Sequence, residues 1–305
     1  MRIWDRHAST PRSFLPLSGE VTSVAAGPTW LAAGTLHGVH LWDAESGHAL
    51  HTFSAAVRWG RELTAPADGA WFAAAGGSSP VHVWDPITGR LRLVVPEGMA
   101  PVIAAPDGTW LAVCTKAKRA VEIWDLATGT RRHVLNSEME VAALTVSADS
   151  NRLGAAHGPL SPFIDHVWDV RTGEPCAASD APIGEPVSSG GYHVNGRSLL
   201  RIWDGLLADL RDLVAKDHRR DRLDVDRLAT SPDGRWLAAL SGGLLSSIYS
   251  FAGELRVYDL RSARTAARMP LRTKATGVAW SNDGSDLFVW GSAGLYKFAW
   301  MTEPR

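Results

Sequence analysis

A short phrase closes seven stretches of this chain: apolar residues flanking one variable position, an aromatic, then Asp. It reads VHLWD up to Asp43, VHVWD to Asp85, VEIWD to Asp125, DHVWD to Asp169, RIWD to Asp204 and LRVYD to Asp259, and MRIWD opens the chain. A phrase that returns about every forty residues marks a repeat architecture, in which each unit buries its apolar faces only against its neighbours. A chain of 305 residues built this way is expected to form one domain over residues 1–305 rather than two.

A second phrase precedes most copies of the first: PDGTWLAV at 106–113, ADGAWFAA at 67–74, SPDGRWLAAL at 231–240, SNDGSDLFV at 281–289 and SADSNRLGAA at 147–156. Asp-Gly pairs supply the positive φ that tight hairpins need, and the flanking residues favour strands. A third turn follows the Trp-Asp, as DAESG, DPITG, DLATG and DVRTG, and leads into a short strand. There Asp accepts backbone N–H bonds and Gly takes the left-handed conformation. Each unit therefore reads as four strands joined by three turns, with little helix.

One Trp-Asp is out of phase. From the hairpin turn to the Asp of Trp-Asp is 17 residues at Asp68–Asp85 and 18 at Asp107–Asp125, but only 9 at Asn195–Asp204. Nine residues cannot hold a strand, a turn and another strand. The spacing predicts that 198–205 is a second strand with its turn, and that LLADLRD (206–212) is the third, ending at Arg211-Asp212. The units then end near 43, 85, 125, 169, 212, 259 and 300, with LYKFAW closing the last.

Four-stranded units of about 42 residues ending in Trp-Asp resemble the WD-repeat β-propeller family, and the resemblance spans the chain. A β-sandwich gives no reason for the repeated Trp-Asp, and a kelch propeller carries a Gly-Gly-centred signature instead. The resemblance implies an all-β, seven-bladed propeller of four-stranded antiparallel blades, closed by an N-terminal strand, here RSFLPL (12–17), pairing with the C-terminal blade. MRIWD competes with LYKFAW for the third strand of that blade. LYKFAW is expected to take it, because DLFVWGSAGLYKFAW reads as a compact hairpin, leaving MRIWD to flank the edge or run along a face. The sequence departs from the family in lacking its Gly-His element: the matching sites read SGEVTS, APVIA, MEVAAL and EPVSS. The type is divergent, and the composition fits a bacterial, high-GC origin.

The Trp residues at 42, 84, 124 and 168 are read as packing between blades, as the resemblance implies. Trp30, Trp71, Trp110 and Trp236 share another repeated position, just after the hairpin turn, which points to packing or to a ring on one face. His40 and His82 occupy one register of the third strands, and His166 lies close to it; these mark a repeat position rather than a metal cluster. Cys114 and Cys176 fall in predicted strands without metal-type spacing and read as small apolar residues.

Composition sets outer bounds. The net charge of -1 gives no bulk electrostatic case for nucleic acid or an anionic membrane. The 26 Arg against 5 Lys fit genomic base composition better than an anion-binding surface. No uninterrupted apolar run approaches the roughly 18 residues of a membrane span, and MRIWDRHAST shows no signal-peptide core. A cytoplasmic protein, monomeric by default, is expected.

No P-loop, Gly-x-Ser-x-Gly or His-Glu-x-x-His motif occurs. Predicted inner strands bring charge near the axis only through Arg61, Glu62, Asp224, Asp226 and Arg227, read as structural ion pairs. No catalytic residue, cofactor or metal is expected. Function in such folds lies where the repeat is interrupted. The interruptions are 155–166, 215–224 and 241–254, and the resemblance places all three on the narrower face around units four to six. Their apolar residues either plug the channel mouth or form an aromatic-lined patch rimmed by arginines. The candidate binding residues are Trp59, His157, Phe163, Arg219, Arg220, Tyr249 and Phe251. The expected function is a non-catalytic scaffold or sensor binding a protein or peptide there. The alternative is an enzyme or small-molecule binder at the channel mouth.

Overall fold

A computed structural model of the protein describes residues 2–4, 11–14, 20–53, 62–76, 80–147, 149–157, 164–176, 225–231, 233, 235–241, 253–259, 261–262, 264–271, 275–281, 284–291 and 294–300. Among these every regular element is a β-strand, and no helix is long and apolar enough to cross a membrane.

A hairpin of β1 (Arg2–Trp4) and β2 (Pro11–Phe14) comes first. The first sheet holds β3 (Val21–Ala26), β4 (Trp30–Thr35), β5 (Gly38–Asp43) and β6 (Ala49–Phe53). The second holds β7 (Glu62–Thr64), β8 (Phe72–Ala75), β9 (Val81–Trp84) and β10 (Leu91–Val95). The third holds β11 (Gly98–Ala104), β12 (Trp110–Thr115), β13 (Ala120–Asp125) and β14 (Arg131–Asn136). The fourth holds β15 (Val141–Val146), β16 (Arg152–His157), β17 (Ile164–Asp169) and β18 (Pro175–Cys176). Beyond residues 177–224, which lie outside the described residues, comes a sheet of β19 (Val225–Thr230), β20 (Trp236–Ser241), β21 (Gly253–Asp259) and β22 (Arg264–Leu271). The last sheet has β23 (Ala275–Trp280), β24 (Asp286–Gly291) and β25 (Gly294–Ala299). Each sheet is an antiparallel meander in chain order.

The Trp-Asp copies at Asp43, Asp125, Asp169 and Asp259 end third strands, and Asp85 directly follows one, as the spacing predicts. LYKFAW forms the third strand of the last sheet. The strand that runs alongside β25 is β1, and β2 pairs with β1. The place expected for RSFLPL is therefore lined by MRIW, because the hairpin presents its first strand, not its second, to the sheet. The Arg211-Asp212 third strand lies outside the described residues.

First strands stack against first strands: β3 on β7, β7 on β11, β11 on β15, β19 on β23, and β23 back on β3. Fourth strands are the exposed ones, as in β6, β10, β14 and β22. Each junction draws its core from two sheets, and two Trp positions build it. Trp30, Trp71, Trp110 and Trp236 begin second strands and face the following sheet; Trp42, Trp84, Trp124 and Trp168 end third strands and face the preceding one. Trp30 thus meets Trp84, Trp71 meets Trp124, and Trp110 meets Trp168, each pair in one core cluster. Three of the four indole N–H groups are satisfied across the junction: Trp30 donates to the Gly69 carbonyl at 2.8 Å, Trp71 to Gly108 at 2.9 Å and Trp110 to Ser150 at 3.1 Å, while the Trp236 N–H is buried without an acceptor among the described residues. The acceptors sit in the next sheet's hairpin turn, held open by positive φ at Gly69, Gly108 and Ser150. Burial and the N–H latch together make this Trp position structural.

Candidate functional site

Of the residues expected to bind, Trp59, Phe163, Arg219, Arg220, Tyr249 and Phe251 lie outside the described residues. His157 is the last residue of β16 and pairs with Val141. Segment 158–163 leaves from the end of β16, segment 242–252 from the end of β20, and Val225, which begins β19, pairs with Ser241 at that same end. Asp224 also lies outside the described residues.

At this end of the second sheet sits Glu62, the first residue of β7. Burial pushes its carboxyl up to about 7, against the Val102 N–H that donates to it. The expected ion pair is not what sets it: no cation contributes to the shift, and Arg61 lies outside the described residues. Two residues on, Thr64 Oγ1 accepts from the Ala104 N–H at 2.9 Å, so β7 side chains reach the backbone of β11. Nearby Cys114 is buried and free, its thiol pushed up to about 12 by burial and then by Glu62, which leaves it inert. His40, His82 and His166 each stack on the Trp two residues later, at ring separations of 5.9, 5.3 and 5.7 Å. Burial lowers the pKa of His40 and His82. No group of three or more His, Cys, Asp or Glu that could hold a metal occurs among the described residues.

The opposite end of the sheets carries the hairpin turns and the turns after Trp-Asp. In the latter, Asp85, Asp125, Asp169 and Asp259 each accept two backbone N–H bonds from residues two and three further on, which closes the turn. The Arg92 side chain at Asp85, and the Thr128 N–H followed by the Arg132 side chain at Asp125, hold both carboxyls at about 2. These turn aspartates are structural, which explains why the refrain keeps its Asp.

A cavity of about 200 Å³ opens at this turn end, where the last sheet meets the first. Its apolar lining includes Leu31, Trp42 and Phe288, and its polar lining Asp43, Ser281, Asp286 and Lys297. Lys297 Nζ lies 2.9 Å from Asp286 Oδ2. Asp43 Oδ1 accepts the N–H and the hydroxyl of Ser46, both at 2.7 Å. These bonds lower the Asp43 pKa, so the carboxylate is charged. The sequence reading missed this site, although a signal was present: SNDGSDLFV carries Asp286 where the hairpins at 30, 71, 110 and 236 carry Trp.

The structure is similar to the crystal structure of the β-propeller domain of Cps50 (Swd1) from Myceliophteria thermophila, with a TM-score of 0.66 and 14% sequence identity over 94% of this chain and 98% of that one. That likeness shows the fold: the chain is a β-propeller. No protein-family model matches the sequence. No curated protein matches it either.

Proposed function

We propose that this chain is a single, seven-bladed propeller domain acting as a non-catalytic scaffold or sensor that binds a protein or peptide. The binding face is the end from which segments 158–163 and 242–252 emerge, around units four to six, with Tyr249, Phe251, Phe163 and Arg219, Arg220 as contact residues and Trp59 and His157 extending the surface. The observation that supports this reading is the common origin of the interruptions: His157 and Ser241 end equivalent second strands, and Val225 pairs with Ser241. A rigid stack of sheets thereby offers its irregular, aromatic-rich segments from one end, as binding loops on scaffolds are offered. The 48 residues from 177 to 224 match one further unit, which supports seven.

The test is affinity capture from the native cell extract with the parent chain and a Tyr249→Ala, Phe251→Ala double variant of equal thermal stability. Loss of specific partners in the variant is the expected result. Recovery of the same partners by both chains would rule out this face.

A further inference from the structure

The seam between the last and first sheets breaks the packing rule of the other junctions. By strand register, Asp286 stands where Trp30 stands, each opposite the end of the third strand (Asp286 with Ala299, Trp30 with Asp43). Phe288 and Trp290 then match Ala32 and Gly34, and Lys297 matches Leu41. Second strands of the first, second, third and fifth described sheets face the next sheet with a Trp at the turn end and smaller residues after it, as in Trp71, Ala73, Ala75 and Trp110, Ala112, Cys114, whereas β16 has Arg152 at that end. At the seam the order reverses. Phe288 and Trp290 fill the middle and far end of the junction against Val21, Val24 and Trp42. The turn end receives the short, charged Asp286 and Lys297. The facing hairpin is also shorter: 27–29 separates β3 from β4, whereas 105–109 separates β11 from β12. Both changes open the cavity at the position where an indole sits in four other junctions.

The charges are unbalanced in one direction. Lys297 is matched by Asp286. Asp43 makes no salt bridge among the described residues, with only His48 acting on it at a distance, while its equivalents Asp85 and Asp125 pair with Arg92 and Arg132, seven residues on. The first sheet has Leu50 at that place. Asp43 uses Oδ1 to hold its own turn, which leaves Oδ2 for a ligand.

We propose that this cavity is a docking site for a partner peptide that carries a Trp side chain beside a basic residue. The ring enters the turn-end cavity over the edges of Trp42 and Phe288, taking the place that the repeat's own indole takes elsewhere, and the basic neighbour meets Asp43. Aromatic anchors entering a preformed pocket, with a charge pair at its mouth, are the usual energetic centre of such contacts. The site goes beyond the protein-binding face proposed above and lies at the opposite end of the sheets, so the two stand or fall separately.

The probe is the acetylated, amidated tripeptide Lys-Trp-Lys, titrated into the full chain by calorimetry and by NMR. Saturable binding is expected, with Lys-Ala-Lys and Glu-Trp-Glu each weaker by roughly tenfold or more. Asp286→Trp, which restores the residue of the other junctions, should weaken Lys-Trp-Lys by a similar factor. Asp43→Asn, which keeps the Oδ1 acceptor, should narrow the gap between Lys-Trp-Lys and Glu-Trp-Glu. The Tyr249→Ala, Phe251→Ala variant should bind the tripeptide as the parent does. Undiminished binding to a folded Asp286→Trp chain, or equal binding of Lys-Ala-Lys, overturns the proposal. Should Asp286→Trp not fold, the parent chain decides: tripeptide-induced shifts must centre on the Trp42 indole and Lys297, and shifts elsewhere overturn it. Tighter binding of tryptamine than of the tripeptide would replace the peptide by a free indole amine and overturn the peptide assignment.

Discussion

The junction between the first and second sheets and the seam between the last and the first use the same strand positions with bulk distributed in opposite order. At the first, Trp30 closes the turn end and reaches the Gly69 carbonyl, while Ala32 and Gly34 thin the junction behind it. At the seam, Trp290 and Phe288 crowd the far part and a charged pair occupies the turn end. Both bury an apolar core, so the repeat tolerates either arrangement provided that the summed volume is conserved. The difference lies at the surface: one junction is sealed by a hydrogen-bonded indole, the other opens into a cavity lined by a carboxylate that no salt bridge holds among the described residues. In a repeat protein, departure from the common pattern at one junction is a better pointer to binding than the pattern itself.

Paired truncations test this contrast most severely. Trp30→Ala should cost about 3–5 kcal/mol, since it removes a fully buried indole and its cross-sheet bond, whereas Asp286→Ala at the equivalent position should cost less than about 1 kcal/mol. At the other end the order should invert, with Trp290→Ala far more damaging than Cys114→Ala. Chemical denaturation of the four variants measures this; equal costs for Trp30→Ala and Asp286→Ala would erase the distinction between the junctions.

Charge inside a sealed junction should behave unlike charge at the seam. Glu62 has a folded pKa of about 7, above its ordinary 4.5, so the folded state holds its proton more tightly. The resulting stabilisation is complete below pH 4.5 and is lost as pH rises through 7. Glu62→Gln should remove that slope and stabilise the chain at pH 8 by on the order of 1–2 kcal/mol. Denaturation midpoints of both chains at pH 5 and pH 8 check it; parallel changes would show that Glu62 is not desolvated.

The smallest effect concerns the turn aspartates. Asp125 titrates at about 2 with Arg132 beside it, and its contribution to stability is present above pH 4 and lost as pH falls through 2. Arg132→Ala should raise the Asp125 midpoint by roughly one pH unit, toward the behaviour of Asp43, which makes no salt bridge among the described residues. Carboxyl-carbon NMR titration reads it directly.

Much of this fold is written in local signals. Asp-Gly turns fix the hairpins, and the third-strand ends at Asp43, Asp125, Asp169 and Asp259 follow from spacing alone. Pairing at the edge of the last sheet is a tertiary choice between similar strands, Arg2–Trp4 and the segment after it, so counting could not decide it. The cavity was half legible. The loss of Trp at position 286 is visible in the sequence, but its consequence depends on which face of β24 meets β3. That is known only once the strands are in register.

The indole latches of Trp30, Trp71 and Trp110 run one way, each from a sheet to the turn of the sheet after it, whereas the Trp280 indole donates back to the Ala229 carbonyl of the sheet before it, at 3.0 Å. The first four sheets therefore have a chemical polarity, like links that each hook forward. Loosening one hairpin turn frees the indole behind it before it disturbs the sheet ahead. In native-state hydrogen exchange, protection should fall first at the seam's turn end, where Asp286 offers no hook. The seam is then the clasp of the structure, the junction from which it opens.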